Sequence, residues 1–90
     1  MKIIAVCGMG IGTSILLKMN TEKALEALGI EGEVEAADIG TAKGAAAMAD
    51  LVLTSAELAG ELEDLSTPVR IVTNFMDVDE ISEQISSLGE

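Results

Sequence analysis

One stretch decides the fold of this chain: Ile3-Ile4-Ala5-Val6-Cys7-Gly8-Met9-Gly10-Ile11-Gly12-Thr13-Ser14. The continuous apolar run at residues 3–6 predicts a strand over residues 2–6, buried on both faces of a parallel sheet. The alternating glycines predict a tight turn, and a helix is expected from about Thr13 to Leu28, capped by Gly12 or Thr13. A strand, a glycine turn and a helix N-terminus form an anion site, because backbone N–H groups and the helix dipole converge there.

Three further strand signals follow. Residues 33–37 alternate glutamate with apolar residues, as at a half-exposed sheet edge, whereas residues 50–54 and 69–73 are mainly apolar. We predict an α/β fold in one domain over residues 1–90: a Rossmann-like, four-stranded parallel sheet of order 2-1-3-4 with helices on both faces. The winding then reverses between strands one and three, where Cys7 and the pair Thr54 and Ser55 leave the sheet.

The helices are expected to turn apolar stripes toward the sheet. Short helices are expected over about residues 41–48 and 55–63. Asp77 and Glu80 predict a capping box at the start of the last helix, and Met76 and Ile81 a hydrophobic staple. Gly29 is the expected C-cap of the first helix. The stripe of that helix is expected to comprise Leu16, Met19, Lys23 and Ala27, broadened by Ile15, Leu17, Ala24, Leu25 and Leu28.

Composition excludes several classes of function. The net charge is −11, with only five lysines and arginines, so nucleic acid and anionic membrane surfaces are not expected partners. One cysteine and no histidine cannot assemble an ordinary zinc site, and no cofactor is expected. No apolar run approaches the roughly 20 residues of a membrane span, and the immediate first strand leaves no room for a signal peptide. We therefore expect a cytoplasmic protein that does not insert into the membrane.

Three familiar glycine loops fit the first stretch poorly. The nucleotide P-loop requires a lysine after its last glycine, but Thr13 follows Gly12. The dinucleotide fingerprint requires another glycine spacing. The cradle of the low-molecular-weight phosphatases fits in shape, yet its phosphate-gripping arginine is replaced by Thr13, and Arg70 lies in strand four. Efficient ester hydrolysis is therefore not expected.

The same pattern favours a cysteine that itself carries a phosphoryl group. The helix N-terminus should lower the pKa of Cys7 from about 8.5 and supply a nucleophilic thiolate. Without an arginine or a general acid, the adduct would persist until a partner brings an acceptor. Thr54 and Ser55 are secondary candidates for phosphate contact. The alternatives left open are a buried, inert Cys7 in a binding or regulatory module, and a phosphatase-like hydrolase. The expected phosphate-binding loop comprises Gly8, Met9, Gly10, Ile11, Gly12, Thr13 and Ser14.

Three segments resemble a known family: residues 4–14, the strand at residues 49–55, and Ala59-Gly60-Glu61. The family is that of the IIB components of the bacterial phosphoenolpyruvate-dependent sugar phosphotransferase system. The ascorbate type is the most similar branch, and the galactitol and lactose/cellobiose types are its relatives.

The resemblance implies a mechanism and partners. Cys7 would accept a phosphoryl group from a phosphohistidine of a IIA protein. It would pass the group to a sugar carried by the membrane component IIC, on a separate chain. Because the surface is acidic, docking is expected to use apolar residues near the loop, with Met9, Ile11 and Met76 as candidates.

Overall fold

The computed structural model describes the backbone of residues 1–6 and 11–87, and the side chains of residues 1–6 and 15–87. Within those ranges, parallel strands β1 (Lys2–Val6), β2 (Glu33–Ala37), β3 (Leu51–Thr54) and β4 (Val69–Ile71) form one sheet in the order β2-β1-β3-β4. The predicted strand order and the edge position of β2 are confirmed. Strand β3 starts one residue later than predicted, and β4 ends two residues earlier.

Four α-helices connect and follow the strands of this described region: α1 (Ile11–Leu28), α2 (Ile39–Ala45), α3 (Ala56–Ala59) and α4 (Val78–Ser87). Short 3₁₀ turns extend α2 over Ala46–Met48 and α3 over Gly60–Leu62. Helix α2 starts two residues earlier than predicted, because the Asp38 side chain accepts the Thr41 N–H at 2.7 Å and caps it. Ser55 occupies the predicted cap position of α3 but makes no capping hydrogen bond with its side chain.

Alternating strand residues build a separate apolar layer on each face of the sheet, which confirms helices on both faces. One layer joins the sheet to α1 and α4, and the other joins it to α2 and to the turn after α3. Successive residues of each strand therefore point their side chains into different layers, as the two-residue period of a strand requires. The first layer includes Ile3, Ala5, Leu51, Leu53, Leu17, Leu25, Ile81 and Ile85. The second includes Ile4, Val6, Val52, Ala42, Ala46 and Leu62.

The buried face of α1 differs from the predicted stripe. Among the side chains of α1 that the structure describes, Leu17, Asn20, Thr21, Ala24 and Leu25 are buried. The other members of the predicted stripe are exposed: Ile15, Leu16, Met19, Lys23, Ala27 and Leu28. Polar side chains sit on the buried face because each has a partner: the Thr21 hydroxyl donates to the Leu17 carbonyl, and the Asn20 amide donates to the Phe75 carbonyl. Leu17, Ala24 and Leu25 of the predicted stripe are buried as expected, but hydrophobic periodicity cannot anticipate such partners and therefore missed Asn20 and Thr21.

Gly29 ends α1 as predicted. Its φ is 71°, the left-handed region that favours glycine. The Gly29 N–H donates to the Glu26 carbonyl at 3.1 Å, and the Ile30 N–H donates to the Leu25 carbonyl at 2.9 Å. This pair of bonds is the Schellman motif, and Ile30 packs against the same apolar layer as Leu25.

Candidate functional site

The predicted site lies at the carboxyl edge of the sheet, where neighbouring strands β1 and β3 both end. Strand β1 ends at Val6, and α1 begins at Ile11. Cys7, Gly8, Met9 and Gly10, which the sequence assigns to the phosphate loop, lie outside the described residues. The backbone of residues 11–14 forms the first turn of α1, and the side chains of these four residues also lie outside the described part.

The predicted N-cap of α1 at Gly12 or Thr13 is wrong, because the helix already includes Ile11. The first backbone N–H groups of a helix have no hydrogen-bond partner within the helix. The sequence pattern therefore locates the first helical residue only to within one or two positions. The predicted arrangement of a central strand followed closely by a helix N-terminus is nevertheless present. Helices in that position present unpaired backbone N–H groups to an anion.

Thr54 lies beside the end of β1. It is the last residue of β3, its side chain is fully buried, and its hydroxyl oxygen is 3.2 Å from the Val6 carbonyl oxygen, to which it donates. Ser55 follows it with a partly buried side chain. Thr54 therefore contacts Val6, the residue that directly precedes Cys7 in the sequence.

The loop after β4 lies at the same edge and is tied down by Glu80. One carboxylate oxygen accepts the Thr73 N–H at 2.9 Å and the Thr73 hydroxyl at 2.5 Å, and the other accepts the Asn74 N–H at 2.9 Å. The bond from the Thr73 hydroxyl, followed by those from the two N–H groups, lowers the pKa of Glu80 from its ordinary value. The loop is thus fastened to the first turn of α4.

The predicted capping box at the start of α4 is half confirmed. Asp77 accepts the Glu80 N–H at 3.1 Å, as predicted. Glu80 does not return the bond to Asp77 but reaches back to Thr73 and Asn74 instead. The predicted staple is wrong, since Met76 is 64% exposed while Ile81 is buried.

Asn20 links α1 to the same loop, a contact that sequence reasoning missed. Its side-chain nitrogen donates to the Phe75 carbonyl at 2.7 Å and lies 3.9 Å from the Met76 sulfur. Asn20 is 7% exposed, so this bond satisfies a buried amide. No local pattern signals it, because the partners are far apart in the sequence.

Exposed apolar side chains continue this contact along α1. Ile15, Leu16 and Met19 are 45%, 42% and 49% exposed, and they are neighbours on the helix surface at spacings of three and four residues. Met76 is 64% exposed, and its sulfur lies 3.9 Å from the side-chain nitrogen of Asn20, the residue that follows Met19. We call these four residues the α1–Met76 surface. Isolated exposed apolar residues are ordinary, but a group beside one edge of a sheet indicates an interaction site.

Charged groups near the edge offer little to an anion. Lys18 lies 3.8 Å from the Glu22 carboxylate, one turn along α1. Arg70 lies within β4, paired in register with Leu53.

Among the described side chains, no group of three or more histidine, cysteine, aspartate or glutamate residues is placed to hold a metal ion. The helices of that part are all too short or too polar to cross a membrane.

The sheet order and the helix that starts just beyond the central strand define an α/β protein with a Rossmann-like, phosphatase-like fold. The family described as PTS system, lactose/cellobiose specific IIB subunit matches residues 2–87. The chain belongs to this family, the IIB components of the sugar phosphotransferase system (PTS).

Individual relatives agree with this assignment. The chain is 38% identical over 87 residues to the ascorbate-specific PTS system EIIB component of Mycoplasma pneumoniae, which covers 96% of this chain and 92% of the relative. It is 34% identical over 61 residues to the protein of the same name from Escherichia coli O157:H7. That match covers 68% of this chain and 60% of the relative.

Two solved structures have a similar fold. The lactose-specific IIB component domain from Streptococcus pneumoniae matches with a TM-score of 0.66 at 16% identity, over 98% of this chain and 89% of that one. The cellobiose-specific IIB component from Borrelia burgdorferi matches with a TM-score of 0.62 at 23% identity, over 98% and 86%. At these identities the likeness concerns the fold alone.

Proposed function

We propose that this chain is the phosphocysteine carrier of a sugar phosphotransferase system, with Cys7 as the phosphorylated residue. One observation carries the proposal: β1 ends at Val6 and α1 begins at Ile11, so Cys7 directly follows the central strand. The membership in the IIB family supports the same role. Cytoplasmic IIA and membrane IIC components are the partners that this role requires.

The proposed reaction consists of two phosphoryl transfers. The Cys7 thiolate attacks the phosphorus of a IIA phosphohistidine, so an S–P bond forms while the N–P bond breaks and the imidazole departs. A sugar hydroxyl oxygen then attacks the phosphorus of the phosphocysteine, so an O–P bond forms while the S–P bond breaks. The Cys7 thiolate departs, and the proton of the sugar hydroxyl passes to solvent. Residues 8–14 would stabilise the transferring group with backbone N–H groups and with the hydroxyls of Thr13 and Ser14.

The α1–Met76 surface is the proposed docking site for IIA. It lies on the helix that follows the Cys7 loop, and its members are 42–64% exposed. Apolar docking suits a chain with a net charge of −11, because the like charges of an acidic partner would oppose docking through charged groups. The bond from Asn20 to the Phe75 carbonyl holds the loop that carries Met76 in place before any partner arrives.

The sugar is proposed to be of the ascorbate type. The support is the identity of 38% with the ascorbate-specific component of Mycoplasma pneumoniae over nearly the whole of both chains. Discrimination between sugars would lie mainly with IIC.

The proposal is tested by reconstituting transfer from phosphoenolpyruvate to ascorbate. The mixture contains the general phosphotransferase proteins, a cognate IIA, this chain, and membrane vesicles carrying the cognate IIC. We expect ascorbate phosphate to form with the wild type and not with Cys7→Ser. Equal product with both would remove Cys7 from the reaction. Turnover of an aryl phosphate by the chain alone would favour the hydrolase, and an inert Cys7 would favour the binding module.

A further inference from the structure

We infer that Thr54 is a positioning residue for Cys7, acting through the Val6 carbonyl rather than by touching the phosphoryl group. The inference rests on the proposed function, in which Cys7 carries that group. The observation behind it is the hydrogen bond of 3.2 Å from the Thr54 hydroxyl to the Val6 carbonyl.

The Val6 carbonyl matters because of where it lies in the chain. It belongs to the peptide unit whose nitrogen is that of Cys7, and a peptide unit is a rigid plane. A hydrogen bond that fixes the carbonyl therefore restricts rotation of this plane about the Cα–C bond of Val6. The direction in which the chain leaves β1 toward the Cys7 loop is thereby restrained.

Thr54 is itself held firmly enough to act as this restraint. Its carbonyl accepts the Val72 N–H at 2.8 Å, which ties it to the segment that follows β4. Its side chain is fully buried at the end of β3, where solvent cannot compete for the hydroxyl. The register between β1 and β3 runs from Ile3 and Leu51 to Ala5 and Leu53, so the side-chain bond lies one residue beyond that backbone pairing.

The hydroxyl, not merely the shape of the side chain, is the essential feature. A fully buried hydroxyl is costly without a partner, and the Val6 carbonyl is the partner of the Thr54 hydroxyl. Orientation of reacting groups contributes strongly to rate, and a misplacement of about 1 Å can cost about a hundredfold. A hydrogen bond that orients the peptide unit between Val6 and Cys7 thus serves the phosphoryl transfer as well as the fold.

The test compares variants in the full-length chain. Thr54→Val keeps the shape and removes the hydroxyl, whereas Thr54→Ser keeps the hydroxyl. Thr67→Val is the matched control, since the Thr67 hydroxyl is also buried and also donates to a backbone carbonyl, that of Ala46. Should Thr54→Val fail to fold, Thr54→Ser and Thr54→Ala form a second pair that differs by the hydroxyl.

Two measurements are made on each variant: the pH profile of Cys7 alkylation by iodoacetamide, and kcat and KM for phosphorylation by the phosphorylated IIA. For Thr54→Val we expect kcat to fall about tenfold or more, KM to stay unchanged, and the alkylation midpoint to move to higher pH. Thr54→Ser should restore both readouts toward the wild type. Thr67→Val should lose stability but keep both.

The inference would be overturned by a Thr54→Val variant with the alkylation profile and the kcat of the wild type. Equal impairment of Thr54→Val and Thr54→Ser would also overturn it, because keeping the hydroxyl would then preserve nothing that its removal destroys. Failure of the proposed function looks different: the wild type itself would not be phosphorylated. The alkylation profile would still report whether Thr54 positions Cys7.

Discussion

The carboxylate of Glu80 accepts both the backbone N–H and the hydroxyl of Thr73, at 2.9 and 2.5 Å. Both bonds end on the same carboxylate oxygen and join the first turn of α4 to the residues that follow β4, and the Asn74 N–H adds a third bond to the other oxygen. The loop that carries Met76 therefore leaves the sheet in a fixed direction. Charge-assisted hydrogen bonds are among the stronger ones in proteins.

Glu80→Gln should destabilise the protein by about 1 kcal/mol, because the amide offers one acceptor oxygen in place of two. The pKa of Glu80 is lowered on folding, so its contribution is fully present above the ordinary value of 4.5 and is lost as pH falls through the lowered value. Urea unfolding from neutral to acidic pH should show the two stability curves converging at low pH.

Glu83→Gln on the same helix is the control, since Glu83 is exposed. It should follow the wild-type curve. The pKa of Asp38 is also lowered, chiefly by the Thr41 N–H, so the wild type keeps other acid sensitivity and only the difference between curves reports Glu80. A gap that stays constant across the pH range would contradict the prediction.

Gly29→Ala and Gly44→Ala should change stability in opposite directions. A Cβ at either position meets nothing within 4 Å, so only the backbone distinguishes them. Gly29 has a φ of 71°, and alanine there should cost about 1–2 kcal/mol. Gly44 lies within α2, where alanine should add about 0.5–1 kcal/mol. Thermal or urea unfolding measures both, and two changes of the same sign would refute the assignment of the C-cap.

Asn20→Ala should cost about 1–3 kcal/mol, because it leaves the Phe75 carbonyl without its donor inside the protein. Lys23→Ala, on the exposed surface of the same helix, should stay within about 0.5 kcal/mol of the wild type. Chemical denaturation distinguishes the two. Equal stabilities for both variants would mean that the link between α1 and the loop after β4 contributes nothing.

Met19→Gln and Met76→Gln should each raise the KM for phosphorylated IIA by about tenfold, which is the effect of losing about 1.4 kcal/mol of binding. The kcat and the free energy of unfolding should not change, since both side chains are largely exposed. Met48→Gln is the control: Met48 is 80% exposed but lies before β3, at the opposite edge of the sheet. An unchanged KM for the first two variants would place docking elsewhere.

The sequence was sufficient for the sheet and insufficient for the contacts that hold its edge. The apolar run at residues 3–6 and the alternation at residues 33–37 report burial directly, so the strand order followed from them. Gly29 and Asp77 were also predictable, because caps depend on residues close in sequence.

The remaining features depend on partners distant in sequence. Thr54 and Val6 are 48 residues apart, and Asn20 and Phe75 are 55 apart. Asn20 and Thr21 lie on the buried face of α1 only because the fold gives them partners, so the apolar stripe predicted that face only in part. The role of Cys7 and of residues 8–14 stays a prediction, supported by family membership.

The most direct test of the central claim is the mass of the intact chain after phosphorylation. The chain is incubated with phosphoenolpyruvate, the general phosphotransferase proteins and a cognate IIA, under conditions that preserve a thiophosphate, and is then weighed and mapped by peptide. We predict a gain of one phosphoryl group on the wild type, located at Cys7, and no gain on Cys7→Ser. No gain on the wild type, or the same gain on Cys7→Ser, would contradict the account.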